Sequence, residues 1–305
     1  MGQTSVVRPV SRVLLRKGPL SVGLAPECGG ALTRCDLRIG KHRIEILRQA
    51  SDEHINRRSP YGASCFPLIP YASRLREGKF EFRGRNFVFP INAPGERHSY
   101  HGDGWTRAWN LIELSRSKAV LELAADPSAP IQYDAIRTIE VDEGKLTIKL
   151  SIRNRGAWAI PVGLGVHPYF ARRHGARIFA RLPVRWRMDD EILPIAPEAN
   201  PQASEFQLGL AGNDLPASAA YSDWDGHAVI EWPSDKIRVR IETTPRLRHV
   251  IAWAPPGEEF FCFEPVSHAT NSFNLAKEQI QCDDPKVVEP GETCEQTFDF
   301  LVGQI

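Results

Sequence analysis

Long apolar runs are missing from this chain. No stretch approaches the roughly 18 uninterrupted apolar residues that a membrane-spanning helix needs, so no membrane partnership is expected. A block of one charge is missing too. Lys and Arg total 38 against 37 Asp and Glu, a net charge of +1, with the arginines spread along the chain. Nothing in that balance favours nucleic acid or an anionic membrane surface. The six cysteines, at 28, 35, 65, 262, 282 and 294, include no Cys-x-x-Cys pair. That favours reduced thiols over a disulfide or zinc framework. The segment Met1 to Leu24 interrupts its apolar positions with Arg8, Arg12, Arg16 and Lys17 and so lacks the hydrophobic core of a signal peptide. A cytoplasmic location is the expectation. Also absent are a Gly-x-Ser-x-Gly elbow, a Gly-rich phosphate loop and a dinucleotide fingerprint.

Helical periodicity is weak throughout, and 24 prolines with 23 glycines argue against long helices. What is present is strand after strand. His42 to Leu47 alternates polar and apolar residues. Lys79 to Phe89 reads as a hairpin. With Gly84 and Arg85 as a type II′ turn, Phe82 would face Phe87 and Phe80 would face Phe89. Further strands are expected at 111–114, 120–123, 137–141, 146–152, 160–166, 237–241, 249–253 and 297–302. The best helix candidate, Asn274 to Ile280, is two turns long, and Pro194 to Pro216 is the one long loop. The expectation is a single all-β domain over residues 1–305, a large antiparallel sandwich of the super-sandwich kind with few short helices.

Four stretches put polar groups in unusual places. Phe260 to Phe263 is a short aromatic strand that meets Glu264 and then Pro265, which is expected to stop it. Strand parity places Glu264 on the face of Phe260 and Cys262, with Phe261 and Phe263 on the other. A carboxyl at the lip of an apolar face tends toward a raised proton affinity, which suits a general base working near neutral pH. The ordinary alternative is an edge glutamate held by a basic residue. The second stretch, Pro161 to Phe170, repeats the design: a strand with two glycines, then His167, then Pro168 as its expected end. In the third, Pro67 and Pro70 hold the chain extended ahead of Arg74, either a solvated arginine or a fork for substrate oxygens. The fourth, Arg97 to Trp105, carries His98 and His101 among glycines, with Trp105 and Trp109 nearby. It is open to metal, to a sugar stacked on indole, or to neither.

Glu264, His167, His101 and Arg74 together form an acid–base set without an evident nucleophile or cofactor. A glycosidase needs two carboxylates of comparable standing, and only Glu264 stands out.

On these residues the chain resembles the aldose 1-epimerase (galactose mutarotase) family. The resemblance rests on Pro67 to Phe80 with Arg74, on His101-Gly102, on His167-Pro-Tyr-Phe170, and on Phe263-Glu264-Pro265 followed by Phe273-Asn274. These come in the family's order and cover roughly residues 20–303. The resemblance implies a galactose mutarotase-like β-sandwich that binds a free hexose and interconverts its α and β anomers without cofactor or metal. Glu264 would be the base at the anomeric hydroxyl and His167 the acid at the ring oxygen. His101 and Arg74 would bind substrate oxygens. A small-molecule sugar is the implied partner, and a monomer or homodimer the expected assembly.

Two departures bear on the substrate. Ser73 stands where the family often has asparagine. Ser218 stands where it commonly places a sugar-reading aspartate, leaving Asp223 or Asp225 as substitutes and a modified or acidic sugar as an alternative substrate. Arg76 and Arg97 are compatible with an anionic group, and equally with a solvated surface. Competing readings are a non-catalytic carbohydrate-binding protein and a metal-dependent isomerase or lyase using His98, His101 and His167.

Overall fold

The computed structural model describes residues 10–282 and 285–305. Arg8 and the rest of the first nine positions lie outside the described residues. Two large antiparallel sheets, of eleven and nine strands, dominate the fold, with a few helices of four to six residues. The smaller sheet shows why these residues form strands. Along Tyr133–Asp142 and Lys145–Asn154, buried and more exposed positions alternate for ten residues each, the period-2 pattern of a sheet with one covered face. Ile139, Ile148, Ile241 and Phe298 from this sheet meet Leu15, Val22, Phe170 and Phe261 from the other in one apolar core. The fold class is therefore the expected all-β sandwich.

In the larger sheet, five strands stand side by side at the middle: His42–Leu47, Gly165–Ala171, Phe260–Val266, His249–Trp253 and Ser218–Ser222. Phe261 and Phe263 point into the inter-sheet core. Phe260 and Cys262 belong instead to a separate cluster with Phe66, Trp105 and Tyr169 on the other face. The expected parity of the Glu264 strand holds. Register then sets side chains of neighbouring strands in rows. Glu264 pairs with Ile251, which pairs with Ala220, and Tyr169, Cys262, Trp253 and Ser218 form the adjacent row.

Four local expectations are corrected. Neither proline ends its strand: Gly165–Ala171 runs through Pro168, and Phe260–Val266 runs through Pro265. What the prolines mark is a gap in the ladder between these two strands. Gly165 pairs with Val266 and Tyr169 with Cys262, while Val166–Pro168 and Phe263–Pro265 are not paired with each other. A proline has no N–H to contribute, so a proline on each strand fits a place where the ladder opens. On their other edges both strands stay paired, His167 with Phe66 and Pro168 with Cys65, and Glu264 with Ile251 and Pro265 with Val250.

The aromatic hairpin turns one residue earlier than expected, at Arg83-Gly84. Phe80 therefore opposes Phe87, and Phe82 opposes Arg85. Both turn residues have positive φ, 48° and 75°, the type I′ geometry whose twist matches that of the strands. The two-residue slip keeps every side chain on its face and stacks the Phe80 and Phe87 rings at 4.7 Å. The helix expected at 274–280 is the single turn Ser272–Leu275. The expected long loop contains the strand Pro194–Ala199 and the helix Ala203–Leu208. Its prolines and alanines hid a sheet edge.

Gly84 has open space around its would-be Cβ, so its replacement tests conformation alone. Gly84→Ala should lower unfolding free energy by about 1 kcal/mol in urea titrations, and Gly84→Asn by less, since asparagine tolerates positive φ.

Candidate active site

The gap in the ladder opens onto a cavity of about 360 Å³ on the face of the large sheet away from the core. His167 and Glu264, one from each side of the gap, meet there with Nε2 and Oε1 3.3 Å apart. Glu264 is 1% exposed and His167 5%. Neither Nδ1 of His167 nor Oε2 of Glu264 has a hydrogen-bond partner among the described residues. Burial holds the Glu264 carboxyl well above the usual carboxylate range. It holds the His167 imidazole well below its ordinary value, assisted by His101 and the Arg48 charge. The low-dielectric setting therefore disfavours net charge. Near neutral pH the pair keeps one proton between them, on the carboxyl or on the imidazole.

Aromatic rings fix the His167 ring. Tyr169, two residues along the same face, stacks on it with centroids 4.6 Å apart, and Phe66 lies at 4.6 Å from its paired strand. Behind Tyr169 the Arg48 guanidinium sits 3.6 Å from the ring centroid and donates through Nε to the Ala63 carbonyl at 2.8 Å. Trp105 and Trp253 complete the apolar walls.

His101 reaches the cavity from a loop with φ of 57°. The next residue must be glycine. Gly102 has φ of 70°, and a Cβ there would lie 2.1 Å from the Ile69 carbonyl oxygen. The Ser73 backbone N–H donates to Nδ1 of His101 at 3.0 Å. In the neutral ring the proton therefore sits on Nε2, which is free to donate to a ligand oxygen. Burial, and then the Arg74 charge, lower the pKa of His101 to about 3, so this tautomer persists across the physiological range. Arg74 adds a fixed cation, its guanidinium 4.6 Å from the Tyr100 ring centroid.

Glu264, His167, His101 and Arg74 thus line one cavity. Other sequence candidates do not join them. His98 is buried elsewhere, accepting from the Glu77 N–H at 3.1 Å and facing Glu191, so the proposed three-histidine metal set is not assembled. Arg76 pairs with Glu278, and Arg97 with Glu77 and Glu191. Ser218 lines the cavity, whereas Asp223 pairs with Arg248 and Asp225 caps a turn at His227. Glu96, which accepts from the Tyr100 hydroxyl at 3.0 Å, is the cavity's second carboxylate. Sequence reasoning missed Glu96. It also missed Tyr169 and Trp253, although strand parity from His167 and register from Glu264 lead to both.

Among the described residues, one cluster has metal-ligand spacing. His167, Cys262 and Glu264 hold their ligand atoms within 4.8 Å of one another. Burial pushes the Cys262 thiol well up, so a metal there would first have to displace its proton.

Comparison with known proteins places this geometry in context. A family model described as aldose 1-epimerase matches residues 12–300. The uncharacterized protein YphB of Escherichia coli K12 is 31% identical over 215 residues, covering 68% of this chain and 74% of that protein. A crystal structure from Escherichia coli K12, provisionally assigned as an aldose 1-epimerase, superposes with a TM-score of 0.87 at 26% identity. It covers 97% of this chain and 100% of that one. A galactose 1-epimerase from Lactobacillus acidophilus shares the fold at a TM-score of 0.77 and 14% identity, covering 99% and 97%.

Buried histidines also make the protein acid-sensitive. His101 in the cavity, and His249 and His268 outside its lining, are buried with pKa values lowered to about 3, about 3 and about 4, burial being the main cause throughout. An unfolded chain binds protons at these positions below about pH 6.5, where the folded one does not. Stability is therefore fully present above that pH and falls as pH drops, by up to about 1.4 kcal/mol per unit per histidine. Glu264, with its raised pKa, acts oppositely, losing stability as pH rises. Thermal unfolding should show a midpoint several degrees lower at pH 5 than at pH 7. An unchanged midpoint would contradict the buried neutral state.

Proposed function

The chain belongs to the aldose 1-epimerase family, and from that premise we propose that it interconverts the α and β anomers of a free aldose. One observation carries the reading: a buried carboxyl–imidazole pair, 3.3 Å apart, at the floor of a sugar-sized cavity.

With the pair's one proton on the imidazole, the Glu264 carboxylate takes the proton from the anomeric hydroxyl as the electrons of that O–H bond form the C1 carbonyl. The bond from C1 to the ring oxygen breaks, and its electron pair receives a proton from the His167 imidazolium at Nε2. The open aldehyde rotates about C1–C2 and presents its other face. The two groups then exchange roles, and the ring recloses as the other anomer. Each step moves one proton between one positioned group and one substrate oxygen, and the pair ends each cycle in its starting state.

The Nε2–H of His101 and the Arg74 guanidinium donate to substrate oxygens, where they steady charge as it develops. The flat walls of Trp105 and Trp253 suit the apolar face of a pyranose. The alternative of a modified sugar draws support from the cavity's polar lining, which includes Ser218 and Glu96 but no carboxylate on the Ser218–Ser222 strand.

Exchange NMR or polarimetry on freshly dissolved sugars, taken across a panel of neutral and acidic hexoses, should show accelerated anomer exchange for at least one. Glu264→Gln and His167→Asn should each slow it about a thousandfold while circular dichroism stays native. Activity should survive a chelator. Full activity in Glu264→Gln would remove the carboxylate from the mechanism, and binding without acceleration across the panel would favour a carbohydrate-binding role.

A further inference from the structure

A second cavity, of about 410 Å³, shares no lining residue with the first. It lies over the strands Val13–Lys17, Leu20–Ala25, Ala31–Ile39 and His42–Leu47 at one edge of the large sheet. Five arginines and two lysines line it against a single carboxylate, Asp36, in a chain whose net charge is only +1.

The strand pattern concentrates these charges. Cys35 and Leu37 pack into the inter-sheet core, so Arg34, Asp36 and Arg38 face outward. Arg38 stands directly opposite Arg43, and Arg16 opposite Ser21, which in turn opposes Asp36. Like charges directly opposed across a strand pair are destabilising. Few partners relieve them. Lys17 is held by Asp142 at 2.7 Å, and Arg34 and Arg43 approach Asp36 at 2.7 and 3.9 Å. Arg16, Arg38, Lys41 and Arg116 have no ion pair among the described residues, while all four line the cavity.

Asp36 supplies the second, independent observation. It is 1% exposed, and its side-chain partners among the described residues are the Arg34 Nε at 2.7 Å and the Arg43 Nε at 3.9 Å, which leaves acceptor positions unfilled. Buried acceptors are nearly always satisfied, and a carboxylate offers about four acceptor positions. A ligand hydroxyl would meet that need, and the Ser21 hydroxyl lies in the same cavity.

We propose that this cavity is a second ligand site, for a small polyhydroxylated phosphate ester whose phosphate engages the arginines while a hydroxyl donates to Asp36. Arginine suits phosphate because its fork makes paired, charge-assisted hydrogen bonds. A neutral polyol leaves the cations unanswered. Inorganic phosphate brings its charge without the hydroxyl array that Asp36 and Ser21 can bind. The cavity volume falls within the range of small-molecule sites.

Sorbitol 6-phosphate is the probe, because it has no ring and no anomeric carbon and is thereby set apart from a sugar substrate of the first cavity. Calorimetry with the full chain at low ionic strength should give saturable binding to one site. Arg38→Ala/Arg116→Ala removes two exposed side chains and leaves the core intact. It should weaken binding at least about tenfold, while Glu264→Gln leaves it unchanged. Sorbitol and inorganic phosphate should each bind at least about tenfold more weakly than the ester. The proposal is overturned by absence of saturable binding, by inorganic phosphate matching the ester, or by loss of binding in Glu264→Gln in place of the arginine variant.

Discussion

The contact between His167 and Glu264 depends on a sheet that fails to close at one point. Antiparallel strands normally bind along their whole shared length. Here Gly165–Ala171 and Phe260–Val266 are paired at both ends and open between them. The two prolines that cannot donate to the ladder sit in that opening. A titratable residue precedes each, so the same irregularity that costs backbone hydrogen bonds sets an imidazole and a carboxyl face to face at 3.3 Å.

An opening of this kind is tolerable only inside a large, well-tied sheet. The outer edges of both strands remain in register with their neighbours, and the phenylalanines on the reverse face stay packed between the sheets. Two titratable groups are thereby held out of water, and desolvation moves their proton affinities in opposite directions, the carboxyl's up and the imidazole's down. An exposed glutamate and histidine would differ by about two pKa units, the imidazole the higher, and each would hold its own charge state. The rows of side chains across the sheet then build the rest of the cavity without further irregularity. Tyr169, Trp253 and Ser218 follow from register, while His101, Glu96 and Trp105 arrive on loops and Arg74 on the short strand Arg74–Leu75.

Much of this was legible before any coordinates. Alternation along the strands, parity at Glu264 and the repeated titratable-residue–proline pattern led to the architecture and to four cavity residues. The departures share a cause. At Pro168 and Pro265 the local rule that proline ends a strand gives way, because neighbours on the far edge keep each strand paired. At Arg83-Gly84 the choice between two turn types depended on strand twist, which no pairwise pattern encodes. His98 and His101 look equivalent in sequence. Only the folded chain shows His98 hydrogen-bonded to the Glu77 backbone and His101 turned into the cavity.

The sequence alone determined the class of fold, because a period of two over many short segments permits little else, and the kinds of chemistry available, because those depend on residue type. Tertiary structure decided which of the candidates act together. His167 and Glu264 are 97 positions apart along the chain, and their distance in space depends on which strands become neighbours and in what register. It also decided that Ser218, and neither Asp223 nor Asp225, faces the cavity, since a side chain's orientation on a sheet depends on pairing. Proton affinities belong with these outcomes. Burial displaces them, and burial is a property of the packed chain.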